Sequence, residues 1–198
     1  MAYKRKDGWY KKAKDEGYRS RAAYKLIELQ RRCKLFSKGM RVVDLGCAPG
    51  GWLQVAAKEV GGKGRVAGID RLEVEPLGLP QAVALVGNIH DKEACDRLRE
   101  VLGGRADVVL SDMAPDTSGV HDADHARSLE LARAAFEAAV LLLRSGGTLV
   151  CKVFDGSDTN DLILDWRSAF GKVRRIRPES TRKGSRELYL VARPYERG

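Results

Sequence analysis

The chain has 198 residues, 43% hydrophobic and 32% charged, with a formal net charge of +9 and four cysteines that form no C-x-x-C pair. At roughly 100–200 residues per domain this predicts one compact unit, too hydrophobic to be disordered and without the spacing of a zinc site or a disulfide framework. No apolar h-region follows the first residues and no run of about 18 apolar residues occurs, which argues against a secretory signal or a membrane span and predicts a cytoplasmic protein with no membrane partner.

The charge is segregated along the chain. Residues 1–38 hold 13 basic and 4 acidic side chains, residues 39–171 hold 14 and 20, and residues 172–198 hold 9 and 3. The N-terminal stretch interleaves its cations with Tyr3, Trp9, Tyr10, Tyr18 and Tyr24. That composition suits a nucleic acid, whose phosphates take the cations while its bases stack on rings. The two basic ends make one surface only if the fold brings them together.

From Ser20, the spacing of Ala22, Ala23, Leu26, Ile27 and Leu29 predicts a helix with Ser20 as its N-cap. Short apolar strands follow at Arg41–Leu45, Arg65–Ile69, Ala82–Val86, Ala106–Leu110 and Thr148–Phe154, and helical stretches at Gly51–Val60, Asp91–Leu102 and His125–Leu143 alternate with them. The alternation predicts an α/β fold with a parallel sheet and helices on both faces. After a helix near Asp158–Phe170, two strands near Val173–Ile176 and Glu187–Ala192 have no helix between them, which predicts an antiparallel C-terminal hairpin at the edge of a mixed, mostly parallel sheet.

The first strand runs into Gly46-Cys47-Ala48-Pro49-Gly50-Gly51-Trp52, a small-residue turn where open α/β sheets bind ligands. Ala48 occupies the middle-glycine position of a dinucleotide fingerprint and Pro49 lacks an N–H, so a pyrophosphate fits poorly and an NAD-dependent oxidoreductase is disfavoured. Asp70 ends the second strand, where a carboxylate accepts from ribose hydroxyls. With Asp44 it makes two carboxylates beside an absent phosphate site, which favours the cationic S-adenosylmethionine. Asp112 follows the fourth strand, and Lys152 interrupts an apolar run in the fifth, where an unpaired ammonium is costly. Asp112 is the expected partner. A lysine acting as a base must shed its proton, which burial and a neighbouring ammonium both favour. Lys25 and Glu187, taken singly, read as a surface lysine and a strand glutamate. His90, His121 and His125 fall outside these motifs and read as surface or loop residues, and no spacing supports a metal site.

Gly17-Tyr18-Arg19-Ser20-Arg21-Ala22-Ala23-Tyr24-Lys25-Leu26, the run from Asp44 to Trp52, Ser111-Asp112-Met113-Ala114-Pro115, Lys152-Val153-Phe154 and Ser185-Arg186-Glu187 occur in that order, and together the chain resembles the FtsJ-type ribose 2′-O-methyltransferases. The resemblance implies a Rossmann-like fold that uses S-adenosylmethionine, with residues 1–38 an RNA-binding segment and first helix of the same domain as the methyltransferase part, 39–198. It implies a catalytic tetrad of Lys25, Asp112, Lys152 and Glu187, with Lys152 as base. Cofactor contacts are implied at Gly50, Trp52, Asp70 and Asp112, and at Asn88, which stands where the family usually has an aspartate near the adenine. Asp116 stands where asparagine is usual. The implied substrate is a uridine ribose of large-subunit ribosomal RNA in the assembled subunit, and the implied enzyme is a monomer. The same chemistry on tRNA, and a non-catalytic RNA-binding assembly factor, are the alternatives.

Overall fold

The computed structural model describes residues 8–91, 93–182 and 184–196, so Tyr3, Lys4, Arg5 and Lys6 of the basic arm lie outside the described residues. The strands are β1 (Arg41–Leu45), β2 (Arg65–Asp70), β3 (Ala82–Val86), β4 (Ala106–Ser111), β5 (Leu143–Phe154), β6 (Phe170–Ile176) and β7 (Glu187–Tyr195). They form one sheet in the order β3-β2-β1-β4-β5-β7-β6. The pairs β1–β2, β2–β3, β1–β4 and β4–β5 are parallel, and β7 runs antiparallel to both β5 and β6. The helices are α1 (Gly8–Asp15), α2 (Ala23–Cys33), α3 (Gly51–Val60), α4 (Ala94–Leu102), α5 (His121–Leu142) and α6 (Thr159–Trp166).

Period-two alternation sorts the sheet's side chains onto two cores. Val43, Leu45, Ala67, Ile69, Val109, Leu149, Cys151, Val153, Leu188 and Leu190 face α4, α5 and α6, whereas Val42, Val66, Val108, Leu110, Val150, Tyr189 and Val191 face α2 and α3. The sheet is therefore covered on both faces, as the continuous apolar runs of its strands require.

Three details depart from expectation. The C-terminal hairpin is antiparallel, but only β6 lies at the edge; β7 sits between β5 and β6. Leu188 to Ala192 are all buried, the mark of a strand covered on both faces, whereas Gly171, Lys172, Arg174 and Arg175 of β6 are exposed, as a protected edge demands. Ser20 is not the cap of α2: the helix starts at Ala23, its N-cap position is Ala22, and no side chain caps it. Ser20 instead presses its hydroxyl against the α-carbon of Gly51, where any β-carbon would collide with it. The short helix α1 was not anticipated, since its single buried side chain, Ala13, makes no periodic pattern.

The order β2-β1-β4 reverses direction of winding between β1 and β4, which opens a crevice at the C-terminal ends of these strands. Gly68 on β2 keeps that end tight. A β-carbon built there would lie 2.6 Å from Cys47 Sγ, 2.7 Å from Cys47 Cβ and 2.9 Å from Leu53 Cδ2. Overpacking of this kind costs about 1–3 kcal/mol, so Gly68→Ala is expected to lower Tm by several degrees in a circular-dichroism melt. An unchanged Tm would mean that the glycine turn yields freely.

Candidate active site

The alternation that builds the core also assembles a polar cluster. Residues 108 and 110 of β4 face α2 and α3, and the next residue of that parity beyond the strand is Asp112. Lys152 on β5 shares its face with Val150, and Glu187 on β7 shares its face with Tyr189 and Val191. Lys25 comes from α2, packed against the same face. All four expected residues thus meet at one place, beside the C-terminal end of β4.

They meet as two ion pairs. Lys152 Nζ lies 3.1 Å from Asp112 Oδ1 and also donates to the Asp112 carbonyl oxygen. Lys25 Nζ donates to Glu187 Oε1. The side chains of Lys152 and Asp112 are 7% and 18% exposed, and those of Lys25 and Glu187 12% and 13%. Pairs this buried are costly to break from one side, at about 3–5 kcal/mol, because the remaining charge is stranded. Lys152 Nζ thus has one hydrogen bond, to the Asp112 carbonyl, and one ion-pair contact, to its carboxylate, both from the same residue.

Sequence reading missed a fifth member. Tyr189 is the direct cross-strand partner of Lys152, and its hydroxyl lies 2.6 Å from Asp112 Oδ1 and 2.8 Å from Glu187 Oε1. Burial, followed by the two nearby carboxylates, holds its phenol well above the usual tyrosine range. The missed signal was parity: residue 189 shares a face with residue 187, two positions before it.

The crevice next to this cluster has a volume of about 370 Å3 and is lined by Gly46, Asp70, Asn88, His90, Asp112 and Met113 among others. Asp70 accepts from the Ala48 N–H at 2.9 Å and the Leu72 N–H at 2.9 Å, which ties the glycine turn to the loop after β2. Asn88 Oδ1 accepts from the His90 N–H at 3.2 Å, leaving a second lone pair and the amide hydrogens. His90 therefore lies at the crevice rather than apart from it. Gly50 bends the turn at φ +105°, where L side chains are strained, and its N–H donates to the Cys47 carbonyl at 2.7 Å. Trp52 is buried and donates Nε1–H to the Ala22 carbonyl at 2.8 Å, joining α3 to the turn that opens α2. Gly50 and Trp52 thus shape the turn, while Asp70, Asn88 and Asp112 line the crevice wall.

Asp44 tests what the crevice suits. It is 1% exposed, and neither carboxylate oxygen has a hydrogen-bond partner. It shares a small recess with Gly46, Ala48, Trp52 and Asp112. Burial, then Asp112, then Asp70 raise its carboxyl well above the usual range. An orphaned acid beside two others is a poor host for phosphate and a good one for a ligand carrying ammonium or sulfonium charge. Such a ligand would be held by Asp44 and Asp112 at its cationic end and by Asp70 and Asn88 at a nucleoside end.

The rim is basic. Glu28 on α2 accepts from the Glu179 N–H at 2.8 Å, Arg32 donates to the Arg177 carbonyl at 3.1 Å, and Arg21 donates to the Ser180 carbonyl at 2.6 Å. The two basic ends of the chain are therefore one surface, beside Lys25 and Glu187. The aromatic residues of the arm are less available for stacking than expected. Tyr24 is buried, Trp9 packs on it at 5.0 Å between ring centroids, Tyr18 at 5.8 Å, and Lys12 lies 5.0 Å over its ring. Trp9 and Tyr10 both stay exposed, at 37% and 49%. His125, expected at the surface, is buried with Nδ1 2.8 Å from the Phe154 carbonyl oxygen, because α5 begins four residues earlier and lays that turn on the end of β5. Among the described residues no cluster of His, Cys, Asp and Glu is placed to hold a metal, and no helix is long and apolar enough to cross a membrane. The four cysteines are buried and free.

The FtsJ-like methyltransferase family model matches residues 18–195. Ribosomal RNA large subunit methyltransferase E of Haloarcula marismortui is 47% identical over 95% of this chain and 74% of its own length. The protein of that name from Methanothermobacter thermautotrophicus is 42% identical over 99% of this chain and 93% of its own. A solved Plasmodium falciparum structure, described as a ribosomal RNA methyltransferase, superposes with a TM-score of 0.79 at 32% identity, covering 90% of this chain and 98% of that one.

Asp44 supports a test that needs no ligand. Its folded state favours the protonated acid, so ionisation costs stability as pH rises past the ordinary value of 3.8, and the cost grows through the raised folded value. Asp44→Asn is expected to raise the Tm of the free protein at pH 7, with a gain that fades as pH falls towards 4. A gain of equal size at both pH values would show that the carboxyl's charge is not what destabilises the site.

Proposed function

The chain belongs to the FtsJ-like methyltransferase family, and from that premise we propose that it methylates the 2′-hydroxyl of a uridine ribose in large-subunit ribosomal RNA, acting on the assembled subunit with S-adenosylmethionine as donor. The observation that carries the reading is the convergence of two buried Lys–carboxylate pairs at the wall of a crevice suited to a cationic nucleoside. The relatives' names supply the RNA class.

When bound, S-adenosylmethionine supplies an electrophilic methyl on a positively charged sulfur. The protein's own residues do the rest. As general base Lys152 must act as the neutral amine, its extra proton already given up to solvent: the Nζ lone pair accepts the hydrogen bond of the 2′-hydroxyl and takes that proton as the O–CH3 bond forms and the methyl–sulfur bond breaks. Asp112 fixes the position of that nitrogen through two contacts. Lys25, paired with Glu187, orients the ribose from the opposite side. The merged basic surface would grip the RNA backbone, with Lys11, Lys12 and Lys14 of α1 adding to it. A requirement for a 2′-hydroxyl selects RNA over DNA by chemistry alone.

The test is transfer of labelled methyl from S-adenosylmethionine to large ribosomal subunits, free ribosomal RNA and tRNA in parallel, with the product mapped by resistance to alkaline cleavage. Label at one ribose of the subunit is the expected result; label only in tRNA replaces the substrate, and no label in any RNA overturns the reading. Lys152→Ala is expected to lower turnover at least about 100-fold while S-adenosylmethionine still binds in a calorimetric titration. Lost binding would instead make Lys152 structural. Reversing the charge of Lys11, Lys12 and Lys14 should flatten the salt dependence of RNA binding. An unchanged slope would remove α1 from the RNA surface.

A further inference from the structure

Tyr189 is 0% exposed, and its ring packs against Trp52 at 5.7 Å between centroids. For packing alone, phenylalanine would serve as well. The hydroxyl needs a separate reason, because a buried O–H is costly unless it is paired. It is paired twice, and both acceptors belong to the tetrad.

Those acceptors are the two oxygens that also receive the lysines. Asp112 Oδ1 takes Lys152 Nζ and the Tyr189 hydroxyl; Glu187 Oε1 takes Lys25 Nζ and the same hydroxyl. Lys25, Glu187, Tyr189, Asp112 and Lys152 therefore form one continuous hydrogen-bonded chain. Among the described contacts, Tyr189 is its single link between the pair on α2 and β7 and the pair on β4 and β5. The hydroxyl has one hydrogen for two carboxylates, so it draws both towards one point and fixes the separation of the two ammonium groups.

Resting on the reading of the site as a ribose 2′-O-methyltransferase centre, we propose that Tyr189 is a positioning residue that holds Lys25 and Lys152 in register for the 2′-hydroxyl by bridging Glu187 and Asp112. It touches neither substrate nor cofactor and acts through the two carboxylates. The charged and titratable groups facing it are Lys25 from α2, Asp112 after β4, Lys152 from β5 and Glu187 from its own strand. Asp44 of β1 lies beside Asp112, and Arg21, ahead of α2, lies beside Glu187.

Tyr189→Phe keeps the ring and removes the bridge. The expected result is a fall in kcat of about tenfold, the size of one lost hydrogen bond, with KM for S-adenosylmethionine and Tm little changed. The acid limb of the kcat–pH profile should move to higher pH, because Asp112, relieved of a donor, holds the Lys152 proton more tightly. A purely structural tyrosine would lower Tm and leave that limb in place. A second variant guards the result: in a Glu187→Ala background one of the two bridged acceptors is gone, so Tyr189→Phe should cost far less than in the wild type. Full activity of Tyr189→Phe, an unmoved acid limb, or losses that simply multiply in the double variant would each overturn the proposal. Inactivity of the wild-type protein on every RNA would instead strike the methyltransferase reading itself.

Discussion

An ammonium group on the inward face of a central strand cannot stand alone, and the arrangement around Lys152 follows from that constraint. Its neighbours on β5 are buried apolar residues, so the charge must be met within a few ångströms or the strand could not lie where it does. Asp112 meets it with a backbone and a side-chain oxygen. That fixes the end of β4, and with it one wall of the crevice. Tyr189, opposite Lys152 on β7, is then forced to bury its hydroxyl beside Asp112, which brings Glu187 and, through it, Lys25 into the same network. Inserting β7 between β5 and β6 is what allows this. A hairpin with β6 innermost would place no acid or tyrosine next to Lys152.

The charge distribution divides the work of the surface. The acidic middle of the chain contributes Asp44, Asp70 and Asp112 to the crevice, which favours a cationic ligand. The basic ends come together over the tetrad, held by the contacts of Arg21, Glu28 and Arg32 with residues 177–180. Opposite fields at adjacent places suit a polyanion on one and a cationic ligand in the other. The tetrad, with two cations and two anions, lies between them. It can tolerate burial because its charges cancel.

Much of this was legible in the residues, and the failures have physical causes. β1 to β4 were readable to within a residue because short apolar runs bounded by glycine and charge mark parallel strands, whereas β5 begins five residues before the expected Thr148, its first residues Leu143–Gly147 holding no apolar run. The C-terminal hairpin was readable as antiparallel, but its place in the sheet was not, since strand order depends on which strand is covered on both faces. The run Leu188 to Ala192 held that information. Asp44 and Asp70 pointed to the crevice; Gly50 and Trp52 were named only through resemblance, and the structure places Gly50 in the turn beside it and Trp52 in the recess that holds Asp44. Tyr189 was passed over because an aromatic residue in an apolar strand reads as core, which its ring is; only its hydroxyl belongs to the site. Ser20 failed as a cap for a tertiary reason, the close approach of α3 at Gly51, that no local pattern records. The arm's aromatic rings looked available for bases, yet Tyr24 is buried under Trp9, Tyr18 and Lys12, while Trp9 and Tyr10 remain exposed.

If Lys152 is the base, the target ribose must sit beside its Nζ. A crystal structure of the protein with S-adenosylhomocysteine and a short uridine-containing RNA from its substrate measures this directly. The target 2′-oxygen is expected about 3 Å from Lys152 Nζ, on the side facing the cofactor sulfur, with Lys25 on its far flank. A ribose held elsewhere, with the tetrad facing only cofactor or solvent, would contradict it.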